Sequence, residues 1–373
     1  MDKHSLIQVV PGRGAGPNGV ADYALTLARA LHACRGANTV FLSGTPAVHG
    51  MPMEDDWKTV CVPKRKAQIL ADTVQLLSAE NNARAVVLHF SGYGYQKRGT
   101  PVWLVQGLRI WSRRAGRVPL LTIFHELYAT GRPWQSAFWL SPLQKQIVRS
   151  ILNFSSAAIT PTDLYTRRLL ELRDGATKIT TMPVFSNVGE PGGGPAPCAR
   201  TAAAVVFGLA GVEDRLFGIY RSEIERLITA LGIDTIFDIG PRLSSVPHSL
   251  AGALVISKGV LPRRAVSELL QRARFGFVAY PLEFVAKSSI FAAYAAHGVV
   301  PIVLSDNQGS FDGLQPARHF LDGLRLGTGV DGEGLASIQS KLFSWYTSHA
   351  LKVQAEYLAN SISSMELDTR RSA

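Results

Sequence analysis

The chain has 373 residues, 46% of them hydrophobic and 18% charged, with a mean hydropathy of +0.10. That supports a substantial core and excludes a disordered or fibrous protein; at about 100–200 residues per domain the length suggests two domains. Lys and Arg number 39 against 28 Asp and Glu, a formal charge of +11 and a pI near 9.7, which favours an anionic partner: nucleotide, phospholipid or nucleic acid.

From the N-terminus, MDKHSLIQVV runs straight into a strand-like segment with no apolar leader, so a cytoplasmic chain is expected. No apolar run approaches the roughly 18–20 residues of a membrane-spanning helix. Strands are predicted at 5–10, 38–43, 58–62, 84–90, 119–124 and 155–160. Helices are predicted near 19–33, 65–79, 101–114, 134–151 and 162–173. In the first helix Val20, Ala24, Leu27 and Leu31 share one face at helical spacing. Apolar strands alternating with helices indicate parallel strands buried on both faces, so this half reads as a doubly wound α/β domain.

The pattern collapses at 189–199, GEPGGGPAPCA, where Gly and Pro density marks an interdomain linker. Alternation then resumes, with strands at 203–208, 234–240, 251–256, 275–280 and 299–304 and helices at 217–231, 262–273 and 288–297. A helical segment at 333–366 closes the chain. The expected organisation is a Rossmann-like domain over 1–188, a linker over 189–202, a second Rossmann-like domain over 203–340 and C-terminal helices over 341–373 that pack back on the first domain. Two such halves create a cleft into which the carboxyl ends of the strands point their loops. Three scattered cysteines, Cys34, Cys61 and Cys198, make neither a disulfide framework nor a zinc site.

After the first strand, Gly14-Ala15-Gly16-Pro17-Asn18-Gly19 has the spacing G-x-G-x-x-G between a strand and a helix, which permits a dinucleotide site. That fingerprint also needs an acid about 20 residues on, at the end of the second strand; VFLSGTP offers none. Gly16, Asn18 and Gly19 instead suit a loop whose backbone approaches an acceptor or a phosphate at a helix N-terminus. A glycine-rich turn without a ligand is the structural alternative.

The segment GPNGVADYALTLARAL resembles the first loop and helix of GT-B glycosyltransferases of the family-4-like group. So do FHELYATGRPW (124–134), PVFSNVGE (183–190), VVFGLAG (205–211), KGVLPRRAVSELLQRARFGFVAYP (258–281) and KSSIFAAYAAHGVVPIV (287–303). Their order and spacing carry the resemblance across nearly the whole chain. It implies an acceptor-binding first domain, a second domain holding a nucleotide-sugar donor, and no DxD-type metal motif, cofactor or required metal; Glu54-Asp55-Asp56 reads as solvated surface.

Transfer from a nucleotide sugar requires stabilising the charge that grows on the diphosphate and aiming an acceptor hydroxyl. Lys287-Ser288-Ser289 stand where the helix at 288–297 begins, beyond Val278-Ala279-Tyr280-Pro281, so cations and helix N–H groups converge there. The family's Glu-x7-Glu motif is degenerate at this place. Ala293 occupies the second position and Val285 the first, with Glu283 two residues off register as a substitute for the first. That departure leaves the stereochemical outcome open and makes a non-catalytic nucleotide-sugar-binding relative an alternative. Arg215 and Lys258 stand near positions where the family carries a basic pair, and Tyr280 is a candidate flank for sugar or base. His125-Glu126 follow the strand LLTIF, and Asp22 lies on the first turn of the first helix. These three are the candidate bases for an inverting reaction.

Trp103, Leu104, Leu108 and Trp111 with Arg113, Arg114 and Arg117, and Trp134, Phe138 and Trp139 with Lys145 and Arg149, form aromatic and basic helical segments. Such segments suit an anionic membrane surface and a lipid-linked acceptor, although a helix must also bury one face. No nucleic-acid-binding module is recognisable, and the sequence does not fix the oligomeric state. The resulting expectation is a metal-independent glycosyltransferase acting on a saccharide or lipid-linked saccharide, with an NAD(P)-dependent oxidoreductase using Gly14, Gly16 and Gly19 as the alternative from another class.

Overall fold

The computed structural model describes residues 5–12, 19–44, 57–114, 118–130, 136–191, 200–208, 214–241, 246–327 and 329–371. Two compact units comprise Met1–Met182 with Leu351–Ala373, and Pro183–Ala350.

In the first unit the chain order is β1 (Ser5–Val10), α1 (Gly19–Arg35), β2 (Asn38–Ser43), β3 (Thr59–Cys61), α2 (Ala67–Glu80), β4 (Ala83–Phe90), a single turn α3 (Gly92–Tyr95) and α4 (Val102–Arg114). It continues with β5 (Leu120–Phe124), α5 (Ser136–Phe154), β6 (Ala157–Thr160), α6 (Asp163–Leu172) and β7 (Lys178–Thr181). The sheet order is β3-β2-β1-β4-β5-β6-β7, parallel throughout. Every residue of β1 and of β5 is buried, as expected for strands covered on both faces. The order reverses between β1 and β4, so ligands are expected at their carboxyl ends.

The second unit contains β8 (Thr201–Phe207), a π-helical turn (Asp214–Ile219), α7 (Arg221–Leu231), β9 (Thr235–Ile239), β10 (Ser249–Leu250), β11 (Ala253–Gly259) and α8 (Arg263–Arg272). Then come β12 (Ala273–Val278), a 3₁₀ turn (Leu282–Lys287), α9 (Ser289–His297), β13 (Val300–Val303), β14 (Leu321–Asp322) and α10 (Gly332–Thr347). The order is β10-β11-β9-β8-β12-β13-β14; the short β10 is antiparallel to β11 and the other pairs are parallel. Its reversal falls between β8 and β12. Inside this core the Tyr294 ring lies across β12 at Gly276, where a Cβ would come within 2.4 Å of it, and its hydroxyl donates to Val205 O at 3.1 Å.

The division differs from the one composition suggests. The second unit already begins at Pro183 and retains α10, and only the last helix, α11 (Leu351–Arg371), joins the first. Hydrogen bonds explain both shifts. Val184 N–H donates to Ala286 O at 3.0 Å. The Tyr346 hydroxyl of α10 accepts from Ser186 N–H at 2.9 Å and donates to Glu190 Oε1 at 2.5 Å, so 184–190 and α10 are stitched into one unit. Meanwhile α11 meets α1 through Tyr23 OH to Gln354 Oε1 (2.5 Å) and Arg35 Nη2 to Asn360 Oδ1 (3.0 Å). Most of the glycine-proline linker, 192–199 with Cys198, lies outside the described residues; Cys34 and Cys61 are free thiols.

Candidate functional site

At the carboxyl ends of β1, β4 and β5 the first sheet gathers a buried polar cluster. Gln8 sits inside β1 and His89 next to the end of β4, both fully buried. His89 Nε2 is 2.8 Å from Gln8 Oε1, and His89 Nδ1 is 3.1 Å from His125 Nε2. With the carboxamide oxygen toward the ring and Gln8 Nε2 buried without a partner among the described residues, Gln8 accepts and His89 Nε2 carries the proton. Burial, reinforced by the neighbouring His125, holds the His89 pKa well below the ordinary imidazole value. The ring is therefore neutral, its Nδ1 accepts, and His125 Nε2 donates.

Tyr23 of α1 closes the cluster, its ring edge-on to His125 with centroids 4.9 Å apart and 5.9 Å from His89. Burial raises the Tyr23 phenol pKa, keeping it protonated to donate to Gln354. Beside His125, Glu126 Oε2 accepts from Ser91 Oγ at 2.9 Å. Burial and the Glu126 carboxylate push the Tyr165 phenol up to about 12, against the pull of Arg168. His125 and Glu126 are both half-buried at the outer end of this cluster. Asp22 is half-buried on the first turn of α1, where the helix dipole favours a carboxylate.

The loop after β4, SGYGYQKRG, builds the rim of this site. Tyr95 is buried with its hydroxyl 3.0 Å from Val9 O and 3.1 Å from His89 O, tying β1 to β4. Gly99 has φ +68°, and a Cβ there would meet Gln144 Nε2 at 2.8 Å, so only glycine suits both backbone and space. Gln144, itself buried, accepts from Ala129 N–H at 2.8 Å and donates to Arg98 O and Tyr93 OH at 3.0 and 3.2 Å. One side chain of α5 thus fixes the loops after β4 and β5.

Gly14, Gly16 and Asn18 lie outside the described residues. At Gly19 a Cβ would meet no described residue within 4 Å, so among the described residues it makes no close helix–strand contact of the kind a dinucleotide fingerprint requires of its third glycine. Nor does β2 supply the ribose-binding acid: it ends at a buried Ser43 followed by Gly44.

In the second unit, α9 is wholly buried from Phe291 to His297, while Lys287, Ser288 and Ser289 at its N-terminus are half-exposed. Ser288 Oγ accepts from Phe291 N–H at 3.3 Å, the N-cap that its position after the 3₁₀ turn allows. The first N–H groups of α9 have no partner within the helix, and Lys287 Nζ lies 5.4 Å from the Phe284 ring. Glu283 accepts from Asn307 Nδ2, joining the 3₁₀ turn to the loop after β13. Tyr280 is half-buried at the same sheet end. Ala293, standing where the resemblance places a second glutamate, is fully buried in apolar core.

Arg215 is exposed on the π-helical turn. Its charge is felt at Tyr220, whose phenol is raised by burial and Asp306 against the pull of Arg215. Lys258 lies within β11 rather than beyond it, exposed, with Nζ 5.5 Å from the Phe237 ring. Tyr280, Glu283, Lys287, Ser288 and Ser289 thus share one sheet end, and Lys258 makes no described contact with them.

Gln8, His89, Tyr23, Gln144 and the buried Asp238, which accepts from Ser257 Oγ at 2.8 Å, escape sequence reasoning. The signal was a polar residue inside an otherwise apolar strand, as in SLIQVV, VVLHF and TIFDI. The predicted aromatic faces divide: Trp103, Leu104, Leu108 and Trp111 are core, whereas Phe138, Trp139 and Leu143 of α5 are 42, 73 and 45% exposed. Trp134 and Arg117 lie outside the described residues. No described helix is long and apolar enough to cross a membrane.

No protein-family model and no curated protein matches the chain. Solved structures do. A glycosyltransferase from Rickettsia africae ESF-5 aligns over 98% of this chain and 99% of its own at 10% identity, with a TM-score of 0.58. Anabaena HepE, in complex with UDP and glucose, aligns over 96% and 99% at 12% identity and TM-score 0.56. The UDP-GlcNAc 2-epimerase of Methanocaldococcus jannaschii aligns over 96% and 99% at 11% identity and TM-score 0.52. Two Rossmann-like sheets, each reversing strand order beside its first strand, give this chain the fold of the GT-B glycosyltransferases.

Proposed function

We propose that the protein transfers a sugar from a nucleoside-diphosphate sugar to a saccharide or lipid-linked saccharide, in surface polysaccharide or glycolipid synthesis. The observation that carries this reading is the chemistry at the two strand-order reversals. One presents His125 and Glu126, groups that hydrogen-bond hydroxyls and move protons; the other presents Lys287 and the N-terminus of α9, which suit a diphosphate. Lys287 and the N-terminus of α9, rather than a metal ion, would meet the charge developing on the leaving diphosphate. Tyr280 and Glu283 would border the sugar, and Arg215 would add positive potential.

UDP is the first nucleotide to test, since HepE binds UDP and glucose. The exposed Phe138, Trp139 and Leu143 beside Lys145 support a lipid-linked acceptor approached along an anionic membrane surface, at the cytoplasmic face. Flotation with anionic vesicles tests that part: salt-sensitive binding supports it, and absence of binding refutes it. A thermal-shift screen of nucleoside diphosphates, nucleotide sugars and dinucleotides tests the function itself. Stabilisation by a nucleotide sugar, followed by acceptor-dependent release of its diphosphate, is the expected result. Stabilisation by NAD(P) alone refutes it, and binding without turnover identifies a non-catalytic relative.

A further inference from the structure

We propose that His89 is a positioning residue for His125, fixing which of its ring nitrogens faces the reacting groups. The proposal rests on the reading above, in which His125 serves the reaction.

The geometry is that of a base oriented by a buried partner. The His89 and His125 ring planes are 21° apart with centroids separated by 5.4 Å. With the nitrogens 3.1 Å apart, the rings therefore meet edge to edge. The fully buried His89 ring is held by Gln8 at Nε2, 2.8 Å away, with the Tyr23 ring edge-on at 5.9 Å, while the Tyr95 hydroxyl fixes its backbone carbonyl at 3.1 Å. The chain Gln8–His89–His125 is thus anchored in β1, passes through β4 and ends just beyond β5.

The direction of the chain follows from its first member. Gln8 Oε1 accepts, so His89 donates from Nε2 and accepts at Nδ1. His125 must then keep its proton on Nε2, which leaves Nδ1 as the basic nitrogen of the neutral ring. A proton taken from a hydroxyl is held on His125 Nδ1 while the Nε2–H bond to His89 stays intact. Among the described residues the neutral phenol of Tyr23 from α1 and, beside His125, the Glu126 carboxylate, itself engaged by Ser91, also face the pair. Burial opposes a charge on His89, so the proton is not passed inward and His89 acts only through orientation.

Two arms test this on the full chain. Long-range proton–nitrogen correlation of histidine-labelled protein, between about pH 6 and 8, reads the tautomers without requiring any turnover. The expected result is a neutral Nε2–H ring at His89 and a proton on His125 Nε2. In His89→Phe the His125 nitrogens should average between tautomers, and turnover with a nucleotide-sugar donor should fall about 10-fold or more at little change in KM. His89→Asn, whose Oδ1 stands near the place of Nδ1, should restore both the tautomer and most of the rate, which a merely space-filling role would not. A His125 that keeps its Nε2 proton in His89→Phe, or a His89→Phe variant of unchanged turnover, overturns the proposal. If the wild-type chain transfers no sugar at all, the function reading fails, and the labelled-histidine arm still decides whether His89 sets the tautomer.

Discussion

His125 Nε2 and His89 Nδ1 lie 3.1 Å apart, joining the carboxyl ends of adjacent parallel strands. In an α/β sheet that is where a ligand is met, and the pair leaves one imidazole half-exposed while the other is fully buried. Replacing the outer member should therefore damage chemistry more than folding. His125→Ala is expected to lower turnover by about 100-fold with a melting temperature within a few degrees of wild type, measured by initial rates and thermal denaturation. Glu126→Gln keeps an acceptor for Ser91 and removes the charge. A rate loss in that variant assigns the carboxylate a role of its own; an unchanged rate assigns it to packing.

Lys287 and the Ser288 cap predict separable effects. Lys287→Ala should weaken UDP binding by about 10-fold, the scale of one charge-assisted phosphate contact, and leave urea stability near wild type. Ser288→Ala should cost about 1 kcal/mol of stability through loss of the cap to Phe291 N–H. Isothermal titration and urea unfolding, run on both variants, distinguish the two.

Arg200 predicts a purely structural loss. Its guanidinium donates to Leu270 O, Ala273 O and His297 O at 3.0, 2.7 and 2.6 Å, gathering the C-terminal ends of α8 and α9. Burial lowers its pKa to about 10, so the charge is retained at neutral pH. Arg200→Met removes these bonds and should cost about 2–4 kcal/mol in urea unfolding without altering the affinity for UDP of whatever fraction remains folded.

Buried neutral histidines predict acid sensitivity. Burial lowers His297 to about 4 and His349 to about 3, while the unfolded chain titrates near 6.5. Below 6.5 the unfolded state binds more protons than the folded state, so stability is fully present above about pH 7 and falls as pH drops toward 4. For His297, whose Nε2 accepts from Ser267 Oγ at 2.8 Å and whose Nδ1 donates to Ala293 O at 2.7 Å, the loss is on the order of 3 kcal/mol. Melting temperature against pH should decline over that window, and His297→Gln should flatten the slope while lowering stability at pH 7.

Much of the fold was legible because parallel strands covered on both faces are written as apolar runs: SLIQVV, AVVLHF and LLTIF mark their strands to within a residue or two. The exceptions are physical. β7, KITT, is a polar edge strand with no apolar run to announce it, and β14 is two residues long. A single helical segment at 333–366 becomes α10 and α11 because contacts far apart in sequence, Tyr346 with Glu190 and Gln354 with Tyr23, divide it between units. Of the candidate residues, His125 and Glu126 in the first unit and Lys287 in the second are visible from their place after a strand or before a helix. Gln8 and His89 are hidden inside strands where burial disguises function as core. Ala293, where the resemblance places the second glutamate, is buried among apolar side chains, so its surroundings carry no polar signal.

Release of UDP from a UDP-sugar, followed with and without saccharide and lipid-linked acceptors, decides whether the protein is a glycosyltransferase. Acceptor-dependent UDP release, lost in Lys287→Ala and His125→Ala, is the predicted result. Conversion of the UDP-sugar into an epimer without any acceptor, or stabilisation of the protein by NAD(P) but by no nucleotide sugar, would contradict it.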